Sequence, residues 1–250
     1  MLPPLVYVLP VDSEARDLAV NVARLITYLE AFPRSEIYLC GSGSKGDAWR
    51  ISQGLEELSA AARAGSARVR CYREPSAGIG HGLHRGMTEA ISRFGGDPKI
   101  WTVIQDADLP FGFSDAEAAL VDLQRPPSRV LMGSRAHPRS DIGAAPKRKV
   151  MSALYRLARR ATIGMKIDDS PGSVFTRLDL AEIIVPKIQT RGSFYTTELC
   201  YHAEREGETI VELPVVLDAG RSSKAGHAGA HPLRDGVAMA KELLRIRRER

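Results

Sequence analysis

Residues 101–110 read WTVIQDADLP. An apolar run stops at two aspartates one residue apart, Asp106 and Asp108. Alternate residues of an extended chain point the same way, so the two carboxylates share one side. Hard oxygen ligands at that spacing suit Mg2+ or Mn2+, with the other coordination positions left to a substrate's phosphates. The competing reading is a polar turn at a strand end, since D-x-D alone is a common pattern. The flanking sequence has to decide.

Upstream, apolar runs alternate with helical periodicity. LVYVLP (5–10), EIYLC (36–40), ARVRCYR (67–73) and IWTVIQ (100–105) read as buried strands. Leu18, Val22, Leu25, Ile26 and Leu29 share one face of a helix over 14–31, with Ser13 as its N-cap and Asp17 in its first turn. A second amphipathic pattern covers 48–64, and the glycine-rich 78–86 leads into a helix that runs to about residue 94. This alternation predicts a mostly parallel central sheet with helices on both faces. Ligands of such sheets sit beyond the carboxyl ends of the strands, where Asp106 and Asp108 fall.

Downstream the pattern loosens. A helix is expected at 114–124, a strand at 129–135 (RVLMGSR), a polar loop at 136–146 and a basic helix at 147–161. A short strand at 173–177, a helix at 196–206 and a strand at 209–218 follow. After a loop at 221–232, a last helix spans 233–250, its tip basic through Lys241, Arg245, Arg247, Arg248 and Arg250. There is no internal repeat. The expected organisation is one domain over 1–232 followed by the basic C-terminal helix 233–250.

Composition narrows the partners. A net charge of +5 and a pI near 9.2 favour an anionic one. No zinc-finger spacing, aromatic RNA-binding strand motif or lysine-rich stretch supports nucleic acid. Cys40, Cys71 and Cys200 are scattered, which points to reduced thiols and a cytoplasmic protein. No apolar run approaches the eighteen or so residues of a membrane helix. The basic C-terminal helix offers a peripheral contact with an anionic membrane face, a solvated helix end being the alternative.

The ordered set of motifs carries more than any one of them. LPVDSE (9–14), IYLCGSGSKGD (37–47), GIGHGLHRGM (78–87) and QDADLP (105–110) come first. MGSR (132–135), DDSPG (168–172), YTTEL (195–199) and RSSK (221–224) follow. In that order the chain resembles the family 2 glycosyltransferases with the GT-A fold. It most resembles the polyprenyl-phosphate sugar transferases, the dolichyl-phosphate mannose and glucose synthase group. The likeness covers roughly residues 5 to 226.

The resemblance implies a Rossmann-like GT-A domain, with a nucleotide-sugar-binding half at 1–110 and an acceptor-binding half at 111–232. It implies inverting, metal-dependent transfer of a sugar from a nucleotide-diphosphate donor to polyprenyl phosphate or another phosphate-bearing acceptor. Asp106 and Asp108 would hold Mg2+ or Mn2+. Pro10, Glu14, Ser42, Gly78, Gly80 and Asp106 would line the donor site, with Arg221 and Lys224 on its diphosphate. Arg135, Arg148 and Ser152 would hold the acceptor phosphate; two forked guanidinium groups and a hydroxyl suit a phosphate dianion. A phosphate acceptor is already an anion and needs little help to attack. A hydroxyl acceptor needs a general base, for which Glu198 and then Asp168 are the candidates.

The chain departs from the family in lacking the C-terminal hydrophobic segments that members often carry and, more seriously, at the end of the second strand. The family's two aspartates at the end of the second strand, which help to read the base and ribose, are Gly41 and Ser42 here. Three other readings stay open: a soluble transferase with a small-molecule hydroxyl acceptor, a non-catalytic GT-A-fold binding module, and a sugar-nucleotide pyrophosphorylase. The last needs a glycine-rich loop after the first strand, and LPVDSEARD (9–17) has no glycine.

Overall fold

A strand that is apolar along its whole length needs cover on both faces, and the sheet supplies it. The computed structural model describes residues 2–11, 17–42, 47–60, 67–142, 146–169, 172–218 and 232–248. Side chains at 42, 47, 48, 58, 146–152 and 232–238 are left aside. Strand β1 (Leu5–Val11) is the centre. Its Val6 and Val8 enter one core with residues of a helix over Ile79–Phe94. Its Leu5, Tyr7, Leu9 and Val11 enter a second core with residues of a helix over Leu18–Leu29.

Around it run α1 (Leu18–Leu29), β2 (Glu36–Ser42), α2 (Asp47–Ala60), β3 (Arg68–Glu74), α3 (Ile79–Phe94) and β4 (Trp101–Ile104). Then come α4 (Ser114–Gln124), β5 (Val130–Ser134), α5 (Pro146–Ile163), β6 (Val174–Arg177) and α6 (Leu178–Ile184). A 3-10 turn at Val185–Lys187, α7 (Tyr195–Arg205), β7 (Val211–Pro214) and α8 (Pro232–Arg248) complete the chain.

The sheet has seven strands in the order β3-β2-β1-β4-β6-β5-β7. β1, β2, β3 and β4 are parallel, and β6 lies antiparallel between β4 and β5. This is the expected α/β architecture, a Rossmann-like, mostly parallel sheet with helices on both faces. The chain walks outward from β1 to β3 and then returns to the other side of β1 to form β4. That reversal opens a crevice between the carboxyl ends of β1 and β4, the place where ligands bind in sheets of this kind.

Three elements differ from the sequence expectation. Helix α6 follows β6 without a gap, so no turn residue announced it; Leu178, Leu180, Ala181 and Ile184 are all buried. The strand expected over 209–218 forms a ladder only at Val211–Pro214, with one further bridge from Val216 to Asp141. Helix α3 begins at Ile79, so Gly80, Gly82 and Gly86 lie inside it. A Cβ on Gly86 would sit 2.5 Å from Val8 Cγ1 and 2.6 Å from Cys40 Sγ. These glycines let the helix backbone lie down on β1 and β2. The expected N-cap Ser13 falls outside the described residues, and α1 starts at Leu18.

Candidate active site

Strand β4 ends at Ile104, and the chain turns at once. Gln105 is buried, Asp106 half-buried and Asp108 exposed. The Leu109 N–H donates to the Asp106 carbonyl at 3.0 Å. Leu109 itself sits at φ +48°, a left-handed conformation that costs a non-glycine residue energy and persists only where the surroundings enforce it. Two things enforce it here. The Leu109 side chain is fully buried, and Asn21 Nδ2 donates to the Ala107 carbonyl at 2.9 Å. Asn21 is 1% exposed, on the buried face of α1.

Asn21 was not among the candidate residues of the sequence, yet it is bonded to this turn. Its signal was an amide inside the apolar stripe Leu18–Val22–Leu25–Leu29. A buried carboxamide among leucines needs a partner, and this one holds the residue between the two aspartates. Replacing Asn21 by Ala removes the donor from a buried carbonyl and is expected to cost about 1–3 kcal/mol. We also expect a several-fold rise in the Mn2+ concentration for half-maximal turnover, measured by metal titration of the purified variant. An unchanged metal requirement would show that the turn keeps its shape without Asn21.

The second half of the chain closes in on this turn from two sides. The Arg135 guanidinium, just past β5, lies over the Phe111 ring with Cζ 5.7 Å from its centroid. The Arg135 N–H donates to Asp169 Oδ2 at 2.6 Å. Asp169 is held in turn by Arg159, a 1% exposed arginine of α5 whose Nη1 donates to the Asp169 carbonyl at 2.7 Å. On the other side, the Asp218 N–H donates to the Pro110 carbonyl at 3.0 Å, and Arg24 Nη2 lies 3.4 Å from Asp218 Oδ2. Asp218 is the last described residue before 219–231, the segment that carries Arg221 and Lys224.

Asp106, Asp108, Phe111, Arg135, Asp169 and Asp218 are thus linked around one turn. Asp168 is not among them. Its carboxylate is half-exposed and pairs with Arg160 at 2.8 Å and Arg156 at 3.8 Å. Of the aspartate pair 168–169, the second is the one that faces Arg135. Successive residues cannot both turn inward here, and the sequence does not say which does.

Glu198 lies elsewhere. It is 1% exposed in the first turn of α7. It accepts from the Thr190 N–H at 2.9 Å, the Gln189 N–H at 3.2 Å and Arg245 Nη2 of α8 at 2.8 Å, with His202 Nε2 at 3.7 Å. Burial alone would push its pKa up. The bonds from Thr190, Arg245 and Gln189, with the His202 ring close by, outweigh that and hold the carboxyl down at about 2. A carboxylate so committed is a poor proton acceptor near neutrality. Its geometry is that of an anchor between the 189–190 loop and α8.

The loop that Glu198 anchors is the one the glycine helix leans on. A Cβ on Gly80 would lie 2.4 Å from the Arg191 carbonyl carbon and 2.7 Å from the Gly192 oxygen. Gly78 caps the same helix at φ +125°. Both glycines, expected at the donor, meet protein backbone here. A Gly80→Ala change meets backbone that cannot rotate away. It is expected to lower stability by about 1–3 kcal/mol in urea unfolding, the usual cost of overpacking.

Pro10 is half-buried near the end of β1, and Ser42 is the last residue of β2. Arg148 and Ser152 stand one turn apart on α5, with side chains outside the described set. Glu14, Arg221 and Lys224 lie wholly outside the described residues.

The residues at the turn fit a shared metal better than a closed cage. Among the described residues, no group of three or more His, Cys, Asp or Glu side chains gathers to hold an ion. Two carboxylates on one turn leave most positions of an octahedral cation to water and substrate oxygens, as Mg2+ sites on phosphate substrates do.

No family model matches the chain, and no curated protein matches it. Solved structures do. Glucosyl-3-phosphoglycerate synthase from Mycobacterium tuberculosis, in complex with Mn2+, uridine diphosphate and phosphoglyceric acid, superposes with a TM-score of 0.59 at 17% identity. That match covers 97% of this chain and 76% of the other. Another structure of the same synthase gives 0.56 at 17%, over 97% and 78%. A further mycobacterial protein gives 0.59 at 17%, over 97% and 72%. At this identity the likeness shows a shared fold, the GT-A form of the Rossmann-like sheet.

Proposed function

We propose that this chain is a GT-A glycosyltransferase that moves a sugar from a nucleotide-diphosphate donor to a phosphate-bearing acceptor. One observation carries the reading. The Asp106–Asp108 turn lies at the carboxyl end of β4, beside the switch point of the sheet, tied by Asn21 and flanked by Arg135. A divalent ion there would offset the charge that grows on the departing diphosphate. The chain's own residues do the rest. Asp106 and Asp108 supply hard oxygens, and Asn21 keeps them on one turn. An extended chain covers about 3.5 Å per residue, so a segment that starts at Asp218 beside Pro110 is short enough to carry Arg221 and Lys224 to the same diphosphate.

Arg135 takes the acceptor phosphate in this proposal, with Arg148 and Ser152 contributing from α5. The Phe111 ring supports the Arg135 guanidinium while the Asp169 carboxylate holds the Arg135 backbone N–H, so the side chain starts from a fixed backbone and a packed face when it binds an anion. The phosphate attacks as the anion it already is, with inversion in a single in-line displacement. Glu198 is an anchoring residue in this scheme and Asp168 a surface one. The first half of the chain then serves the donor and the second half the acceptor.

Two kinds of phosphate acceptor remain, and one observation favours the smaller. The superposed synthase is a complex with phosphoglyceric acid, a small phosphorylated acid. The test is transfer of labelled sugar from UDP-, GDP- and ADP-glucose or -mannose, with Mn2+ or EDTA, to 3-phosphoglycerate or to a polyprenyl phosphate in detergent. Metal-dependent transfer to either acceptor supports the function, and the preferred acceptor settles the class. Turnover indifferent to EDTA, or none with any donor, would leave a non-catalytic GT-A module.

A further inference from the structure

The end of β2 carries no acidic side chain at Gly41 or Ser42, and the structure puts an aromatic–cation pair beside it. Trp49 stands in the first turn of α2, half-buried. Arg73, exposed near the end of β3, lies over its ring with Cζ 5.9 Å from the centroid. The pair is held in place by bonds between α2 and β3. Ser59 Oγ accepts from the Val69 N–H at 3.0 Å, and Glu56 accepts from the Cys71 N–H at 3.1 Å.

The sheet register relates this pair to the aspartates. Val11 pairs with Gly41, and Gly41 with Arg73, in one row across the strands. Val8 pairs with Ile104, so β4 ends three residues short of that row and the chain turns there into Asp106 and Asp108. Neighbouring strands are about 4.8 Å apart, which puts the end of β4 roughly 10–15 Å from the ends of β2 and β3. A nucleoside diphosphate lying along the row, with its phosphates at the aspartates, brings its base to the Trp49–Arg73 pair. Gly41, midway, adds no side chain to the path.

We infer that Trp49 and Arg73 form a shelf that holds the donor's nucleobase by its flat face. This rests on the nucleotide-diphosphate reading above and adds how the base is recognised. An indole ring and a guanidinium plane both stack on bases, and neither accepts a hydrogen bond from a base edge. Face-on binding is tolerant of base identity, because every base has a π-face. The donor site therefore accepts purine and pyrimidine nucleotides, with purines at least as tight.

The chain has two tryptophans, and Trp101 is 1% exposed in the core, so emission from Trp49 reports on the shelf. The full chain is titrated with ADP, GDP, UDP and CDP in Mg2+, and separately with pyrophosphate in Mg2+, by fluorescence and by calorimetry. Each nucleoside diphosphate should quench saturably and pyrophosphate should not. Trp49→Phe should abolish the quenching while binding stays within about threefold. Trp49→Ala and Arg73→Ala should weaken nucleotide binding about tenfold or more and leave pyrophosphate binding unchanged. Nucleotide affinity unmoved by either alanine variant, or one base preferred by more than about a hundredfold, would overturn the shelf. If nucleotides quench and bind but pyrophosphate does not, the shelf stands and the metal–diphosphate reading falls. If no nucleotide binds, both fall.

Discussion

Asp108→Ala should lower metal-dependent sugar transfer about 100- to 1000-fold while leaving the fold intact. The two halves of that expectation have separate causes. Asp108 is exposed on the aspartate turn, so truncating its side chain opens no cavity in the core. The turn itself is closed by backbone and by Asn21, through the Leu109 N–H on the Asp106 carbonyl and the Asn21 amide on the Ala107 carbonyl. Neither bond uses the Asp108 side chain. The loss in rate follows because removing one preorganised group that stabilises developing charge typically costs that much in turnover. Initial rates with saturating donor and Mn2+, beside thermal melts of both proteins, check it. A variant that melts normally and turns over at the wild-type rate would take the metal away from this turn.

Glu198→Ala should act on stability first. Truncation leaves the Arg245 guanidinium without its buried carboxylate, and the Thr190 and Gln189 N–H groups without their acceptor. Breaking a buried ion pair from one side costs about 3–5 kcal/mol. For a chain of this size that corresponds to a fall in Tm of roughly 10 °C. The pH dependence has a definite sign. Glu198 has a folded pKa of about 2 against an ordinary 4.5, so the folded state favours the ionised form. Its contribution, about 3 kcal/mol, is fully present above pH 4.5 and is lost as the pH falls toward 2. The alanine variant should therefore show a shallower loss of stability over that acid range. Glu198→Gln separates anchor from base. It keeps the shape and one acceptor oxygen, so folded protein should transfer to a phosphate acceptor within about tenfold of the wild-type rate. A thousandfold loss at unchanged Tm would return Glu198 to proton transfer.

The contrast between these carboxylates shows where sequence reading succeeds. Asp106 and Asp108 were legible because their setting is local: a buried run, an abrupt stop and a two-residue spacing lie within ten residues. The fate of Glu198 depends on Arg245, 47 residues on, and on amides 8 and 9 residues back. Asp168 and Asp169 are adjacent and identical, and only the approach of Arg135 and Arg159 separates the inward one from the outward one. Asn21 is an amide inside an apolar stripe, a signal the sequence analysis passed over, and its partner lies 86 residues away. Gly78 and Gly80, at the start of α3, lie against the Arg191–Gly192 backbone, a contact with a loop more than a hundred residues on.

Alternating periodicities thus decided the α/β class, the parallel first half and the placing of two aspartates at a strand end, because burial pattern is a property of ten or so consecutive residues. The insertion of β6 between β4 and β5, the convergence of Arg135 and Asp218 on the aspartate turn and the row from Val11 through Gly41 to Arg73 came from the assembled sheet. Those pairings join residues tens of positions apart. Their energies depend on distance and burial, which no short stretch of chain contains.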